Sequence, residues 1–242
     1  MTEPNSDVKN ASQAVFHWLC YIQMASRCNI LAESSIKYPF VECLERMGYE
    51  KIHLEARHPI FLSRYMDLFC GNITDEEHIA ILDDDAKVYV EFKYVRTDTR
   101  ERKEQQRIFD DVLRLYQVKH KHPDTFCYFI ITGDTVTFES CFRSIKKPAQ
   151  TKSTIEETPF NQSPERPIAQ GIYSEWFSFN IDVNQGYKEI TLHNNTYFQE
   201  FLKKYKKCSL SDTDIVKTHL LSNCLEQDRD LYPQALALWE IS

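Results

Sequence analysis

Three residues in two neighbouring strand-like runs could do chemistry together: Asp67 in "SRYMDLFC", and Glu91 and Lys93 in "KVYVEFKYV". Side chains alternate faces along a strand, so Glu91 and Lys93 share one face with Lys87, Tyr89 and Val95. Val88, Val90, Phe92 and Tyr94 share the other. Asp67 stands between Met66 and Leu68, away from the turn acids Asp75, Glu76 and Glu77. If the two runs pair as a hairpin or meander, Asp67 falls beside Glu91. Two carboxylates close together in a partly buried site repel, and one takes up a proton. A divalent cation removes that penalty, and oxygen donors suit Mg²⁺, with Mn²⁺ as a substitute. Lys93, one pleat on, then stands where it can donate to a phosphate oxygen or hold an attacking water. The plain alternative is a surface ion pair between Glu91 and Lys93 on a half-exposed strand, worth about 0–1 kcal/mol. Asp67 would then be a satisfied structural carboxylate.

The elements that must position these residues follow from periodicity. A first helix is predicted from about Ser6 to Cys28, with Val15, Leu19, Cys20 and Ile22 on its apolar side. In "ESSIKYPFVECLERMGY", Ile36, Phe40, Leu44 and Met47 recur at helical spacing and stop near Gly48. Pro39 lies inside that pattern, so this helix either starts there or bends there. Three strand-like runs come next: "EKIHLEAR", "SRYMDLFC" and "KVYVEFKYV". The amphipathic helix "DTRERKEQQRIFDDVLRLYQVKHK" follows, and then "TFCYFIIT", apolar on both faces as a doubly covered central strand is. The order α-β-β-β-α-β predicts a mixed sheet with helices packed on it, an α/β (α+β) fold. "DTVTFESCFRSI" reads as a further helix, and 146–170 as a long loop rich in Pro, Thr, Ser, Gln and Lys. Strands are expected at "IYSEWFSFNI" and "KEITL", helices at "NTYFQEFLKKYKK" and near 211–227, and a closing strand at "ALALWEI". The organisation expected is one domain over 1–242, with a core at about 30–145 and a C-terminal extension over 171–242.

Asp67, then Glu91-Phe92-Lys93, in that element order, resembles the PD-(D/E)XK nuclease superfamily, the restriction-endonuclease-like fold. The resemblance covers roughly residues 30 to 135. The Pro of the "PD" is missing, since Met66 precedes Asp67. The family tends to place an acidic residue on its first core helix, and two candidates exist. At about 100° per residue, Glu33 lies within about 60° of Ile36 and about 40° of Phe40, Leu44 and Met47. Glu42 falls about 180° from Glu33, beside Glu45 and Arg46 on the wet face. Glu33 is therefore the choice, its plain alternative being a charge at a helix N-terminus. Some branches of the family also carry a Gln on the next helix. Gln105 is in phase with Phe109, Val112 and Tyr116, with Gln106 second and a Gln at the exposed beginning of the stripe as the plain reading. Arg96, Arg100, Arg102, Lys103 and Arg107 could contact phosphates, with none preferred.

The resemblance implies a Mg²⁺-dependent nuclease acting on nucleic acid, with DNA the expected substrate. Asp67 and Glu91 would hold the metal, Glu33 would help directly or through water, Lys93 would orient the attacking water, and Gln105 would reach the site or the substrate backbone. Enzymes that cut both strands often work as dimers, so a homodimer is an expected assembly. A reading from a different class keeps the fold with the site vestigial, as a binding or assembly component.

Composition is compatible with either. The 242 residues can bury a real core, and 42% are hydrophobic, the composition of a globular chain rather than a disordered one. The net charge of −7 argues against bulk attraction to nucleic acid. Residues 87–121 nevertheless carry 10 basic and 6 acidic side chains, a positive segment that begins on the strand of Glu91. No run of about 18 apolar residues predicts a membrane span, and "MTEPNSDVKN" lacks the pattern of a secretory signal. The eight cysteines form no CxxC pair, which fits reduced thiols and a cytoplasmic location and gives a zinc enzyme no ligand spacing.

Overall fold

The computed structural model describes residues 4–25, 31–82, 87–95, 102–135, 138, 187–225 and 234–242. Among the described residues, four helices and seven strands make a mixed α/β architecture. In chain order they are α1 (Pro4–Met24), α2 (Ser34–Arg46), β1 (Ile52–Arg57), β2 (Tyr65–Cys70), β3 (Val88–Tyr94), α3 (Arg102–Lys121), β4 (Phe126–Asp134), β5 (Tyr187–Thr191), α4 (Thr196–Lys204), β6 (Ile215–Leu225) and β7 (Gln234–Ile241). One sheet contains every strand, in the order β1-β2-β3-β4-β7-β6-β5. Among the described residues its one parallel strand pair is β3 with β4, joined through α3, because a parallel pair needs a crossover. Every other pair is antiparallel.

Helices cover both faces of this sheet. On one side Val8, Val15 and Leu19 of α1 and Ile36, Phe40 and Leu44 of α2 pack on Val88, Val90, Phe92, Tyr128 and Ile130. On the other, Phe109, Val112 and Tyr116 of α3 and Phe198 and Phe201 of α4 pack on Tyr89, Phe129, Ile131 and Trp239. The alternation read from "KVYVEFKYV" therefore sends its two faces into two separate cores. Neither face of β3 is half-exposed. Helix α2 continues through Pro39, which sits in its second turn, so the helix does not start at the proline.

One expectation fails. The segment read as a helix near 211–227 is the strand β6, paired with β5 on one side and β7 on the other. Val216, Thr218, Leu220 and Ser222 are buried while Ile215 and Lys217 are exposed, a period of two that a helix cannot produce. The expected loop at 146–170 and strand at "IYSEWFSFNI" lie outside the described residues, as does most of the helix expected at "DTVTFESCFRSI". Among the described residues no helix is long and apolar enough to cross a membrane. All six described cysteines are free thiols.

Candidate active site

The sheet opens where Asp67 and Glu91 meet. β2 and β3 pair over only three positions, ending at Leu68 opposite Val90, whereas β3 and β4 pair over seven. Continuing the short register by one residue sets Asp67 opposite Glu91. There the ladder has stopped, and the Phe92 N–H donates to Asp67 Oδ2 at 2.7 Å instead of to a β2 carbonyl. Sheet alternation also slips at this point. Met66 packs into the core on one face and Leu68 into the core on the other, though two residues on one regular strand share a face. Glu55, opposite Asp67 in the β1–β2 register, takes a left-handed φ of 56°, an uncommon conformation for a side chain of this length. Both kinks fall at one level of the sheet, where the β2–β3 ladder ends and leaves a gap between those two strands.

Side chains enter that gap from both layers. From α2, Lys37 donates to Asp67 Oδ1 at 2.7 Å and to Glu55 Oε1 at 2.5 Å. Glu33 sits one turn earlier on the same helix face, 3.8 Å from the Lys37 ammonium and 3.9 Å from that of Lys93. Its backbone is already helical and its carboxylate caps no N–H, so the group is left to face the cluster. From α3, Arg114 Nη2 bridges Asp111 Oδ1 at 2.7 Å and Glu91 Oε1 at 3.3 Å. Glu91, only 3% exposed, pairs with this arginine and not with Lys93.

The electrostatics follow from burial and an unequal count. Among the described residues, five carboxyl groups (Glu33, Glu55, Asp67, Glu91, Asp111) meet three cations (Lys37, Lys93, Arg114), a formal excess of two negative charges. Burial, reinforced by the Asp67 carboxylate and opposed by Lys93 and Lys37, raises Glu33 to about 7. Burial also pushes Glu91 well above the usual carboxylate range; Arg114 opposes this, and the charges of Asp67 and Asp111 and a hydrogen bond to Asp67 add to it. Asp111 is raised by burial against the pull of Arg114 and Lys93. Burial alone would lower Lys37, but Asp67 and Glu55 outweigh it and hold the ammonium above its ordinary value.

The structure thus brings Glu33, Asp67, Glu91 and Lys93 together. Gln105 is buried and faces α4, where its Oε1 accepts from the Tyr197 hydroxyl at 2.8 Å. Gln106 reaches Asp110 Oδ1 and the Tyr197 carbonyl. Glu42, set aside on phase, is exposed and paired with Arg46. Four cluster members escaped the sequence reading: Lys37, Glu55, Asp111 and Arg114. Two had a usable signal, since Lys37 is four residues from Glu33 and shares its helix face, and Glu55 lies on the strand beside Asp67.

Beside the cluster, His58 fixes the turn that leads from β1 into β2. Its Nδ1 accepts from the N–H groups of Ile60 and Phe61, each at 3.1 Å, and its Nε2 faces the Arg114 carbonyl at 3.4 Å. Burial, with the nearby Arg114 charge, lowers this imidazole to about 3.

Among the described residues, no three His, Cys, Asp or Glu side chains are disposed as ligands of a metal ion. The Lys37 ammonium, bonded to Asp67 and Glu55, supplies positive charge among these acids. In kind, however, the donor set fits a hard dication: all the donors are carboxylates, and their excess charge equals that of one divalent ion. The chain matches no protein-family model, no curated protein and no solved structure.

Proposed function

We propose that the protein is a Mg²⁺-dependent nuclease of the PD-(D/E)XK type, with DNA as its substrate. One observation carries the reading: Glu33, Asp67, Glu91 and Lys93, from α2, β2 and β3, converge at the gap between β2 and β3. Asp67, Glu91 and Glu33 would hold the ion. Mg²⁺ or Mn²⁺ there supplies charge neutralisation for a phosphodiester and a water acidic enough to attack near neutral pH. Lys93 orients that water and offsets charge on the phosphate oxygens in the transition state. Arg114 holds the Glu91 carboxyl in place from the other side of the sheet.

Incubation with DNA and RNA oligonucleotides in Mg²⁺ or Mn²⁺ tests the reading. Cleavage by the wild type is expected, abolished in Asp67→Asn and in Lys93→Ala. Cleavage unchanged by both substitutions would refute this site.

A second reading has its own support in Lys37. An ammonium bonded to Asp67 and Glu55 can replace a metal permanently, which would make the chain a nucleic-acid-binding or assembly component with a nuclease-like core. Calorimetric titration with Mn²⁺ separates the two, since heat of binding lost in Asp67→Asn is expected only of a metal site.

A further inference from the structure

On the α3 side of the cluster lies a cavity of about 290 Å³, near the lower end of the range for small-ligand sites, about 300–1,000 Å³. Lys93, Asp111 and Arg114 line it, so it opens directly onto the candidate active site. Its remaining charged wall is Arg64, Arg107, Lys204 and Asp110. The acids are answered from within. Asp110 accepts from Lys204 at 2.5 Å and from Gln106 at 2.7 Å, and Asp111 is bonded to Arg114. Arg107 pairs with Glu104 on the solvent side of α3.

Arg64 is different. Among the described residues no carboxylate lies within ion-pair distance of it. Its guanidinium stands over the Tyr205 ring at 5.5 Å, and its buried Nε–H makes no hydrogen bond. Arg114 likewise buries an Nε–H without a partner. Buried donors are normally satisfied, and an unmatched N–H is costly in a partly closed space. An oxyanion answers that need, because the guanidinium fork presents parallel N–H donors to a phosphate.

We propose that this cavity is a subsite for a backbone phosphate of the nucleic acid strand, adjacent to the phosphodiester at the carboxylate cluster, with Arg64 as its anchor. The proposal rests on the nuclease reading for the identity of the ligand. A wider cavity of about 680 Å³ adjoins it, sharing Arg64, Arg107, Lys204 and Asp110 and adding Lys103, Gln106 and Glu200. The strand then leaves the site along the groove between α3 and α4. Tyr65, 49% exposed at the inner mouth, offers a ring for the neighbouring base, which suits a nucleotide better than free phosphate.

The experiment is fluorescence anisotropy with a short single-stranded DNA oligonucleotide in EDTA, so that binding is read without cleavage. Wild type, Arg64→Gln and Arg107→Gln are compared over a range of salt. Arg107 is about half-exposed, so its variant keeps the test open should Arg64→Gln fail to fold. Each substitution is expected to weaken binding by about tenfold and to reduce the slope of log K against log salt by about 0.7. Equal affinities and slopes in all three proteins overturn the subsite, and if Asp67-dependent cleavage persists, the nuclease reading survives that failure. Arginine-dependent binding with no cleavage in any metal does the reverse, leaving the subsite and removing the nuclease. Wild type that binds sodium pyrophosphate but no oligonucleotide also overturns the proposal.

Discussion

His58 makes the stability of the region next to the site depend on pH, and the size of the effect can be worked from its surroundings. In the folded protein the imidazole accepts two backbone N–H groups at Nδ1 and donates to the Arg114 carbonyl at Nε2, so only the neutral ring fits. Burial, with the Arg114 charge, takes it from the ordinary 6.5 to about 3. An unfolded chain binds a proton to this ring below about 6.5, whereas the folded chain resists until about 3. Between those values the unfolded state holds more protons, so stability falls as the pH falls. At about 1.36 kcal/mol per pH unit the full window is worth about 5 kcal/mol. Urea unfolding of wild type and His58→Asn at pH 7, 5.5 and 4 measures it. Asn retains an acceptor but does not titrate. At pH 7 it should cost about 1–3 kcal/mol through the lost bond to Arg114 and the smaller side chain. That deficit should shrink steadily on acidification and vanish or reverse by pH 4. Carboxylates elsewhere contribute equally to both proteins and cancel in the difference. Parallel loss of stability in the two proteins would refute the assigned proton state of His58.

Four further outcomes follow from the same geometry. Mn²⁺ binding should tighten as pH rises through 7, because Glu33 sits near 7 and Glu91 above the usual range, and both must lose protons to coordinate; calorimetry in two buffers should show proton release, reduced in Glu33→Gln. Arg114→Met strands Glu91 and Asp111 and should cost about 3–5 kcal/mol in chemical denaturation, with part recovered by adding Glu91→Gln. Lys37→Met should lower stability and, under the second reading of Lys37, should create Mn²⁺ affinity that the wild type lacks. Gly133→Ala drives a Cβ into the Val95 side chain and within 3.0 Å of its carbonyl oxygen, and should cost about 1–3 kcal/mol by thermal melting.

Much of this arrangement was legible in local periodicity. The six elements from α2 to β4 follow from apolar spacing, and Glu33 was separable from Glu42 by helical phase alone. Where the reading failed, the deciding contacts were distant in sequence. "IVKTHLLSNCL" has the alternation of a strand, but its pairing with β5 and β7 is what selects that state. Asp111 and Arg114 read as ordinary charges on an amphipathic helix. Packing of α3 on the sheet, with Arg114 bonded to Glu91 of β3, puts them indoors. The opening of the sheet at Asp67 was not readable either, because it depends on a slip in β2 and on a left-handed Glu55 that no residue type there announces.

The imbalance of charge bears most directly on what the site is for. A buried ionic network retained for architecture alone gains little, since apolar groups of similar volume often serve as well or better. A network with two formal negative charges in excess among the described residues is worse again, because burial holds Glu33 and Glu91 above the usual carboxylate range. Strain is added at Glu55, whose left-handed backbone brings its carboxylate to Lys37. Three costs therefore fall at one gap in the sheet: an interrupted ladder, a strained residue and uncompensated carboxylates. Beside it lies a cavity with the opposite defect, in which Arg64 and Arg114 bury donors that no described residue accepts. A cation answers the first and an oxyanion the second. A phosphodiester that arrives with a divalent ion supplies both at once, which is why the two adjoining defects are better read together as a binding site than separately as faults of packing.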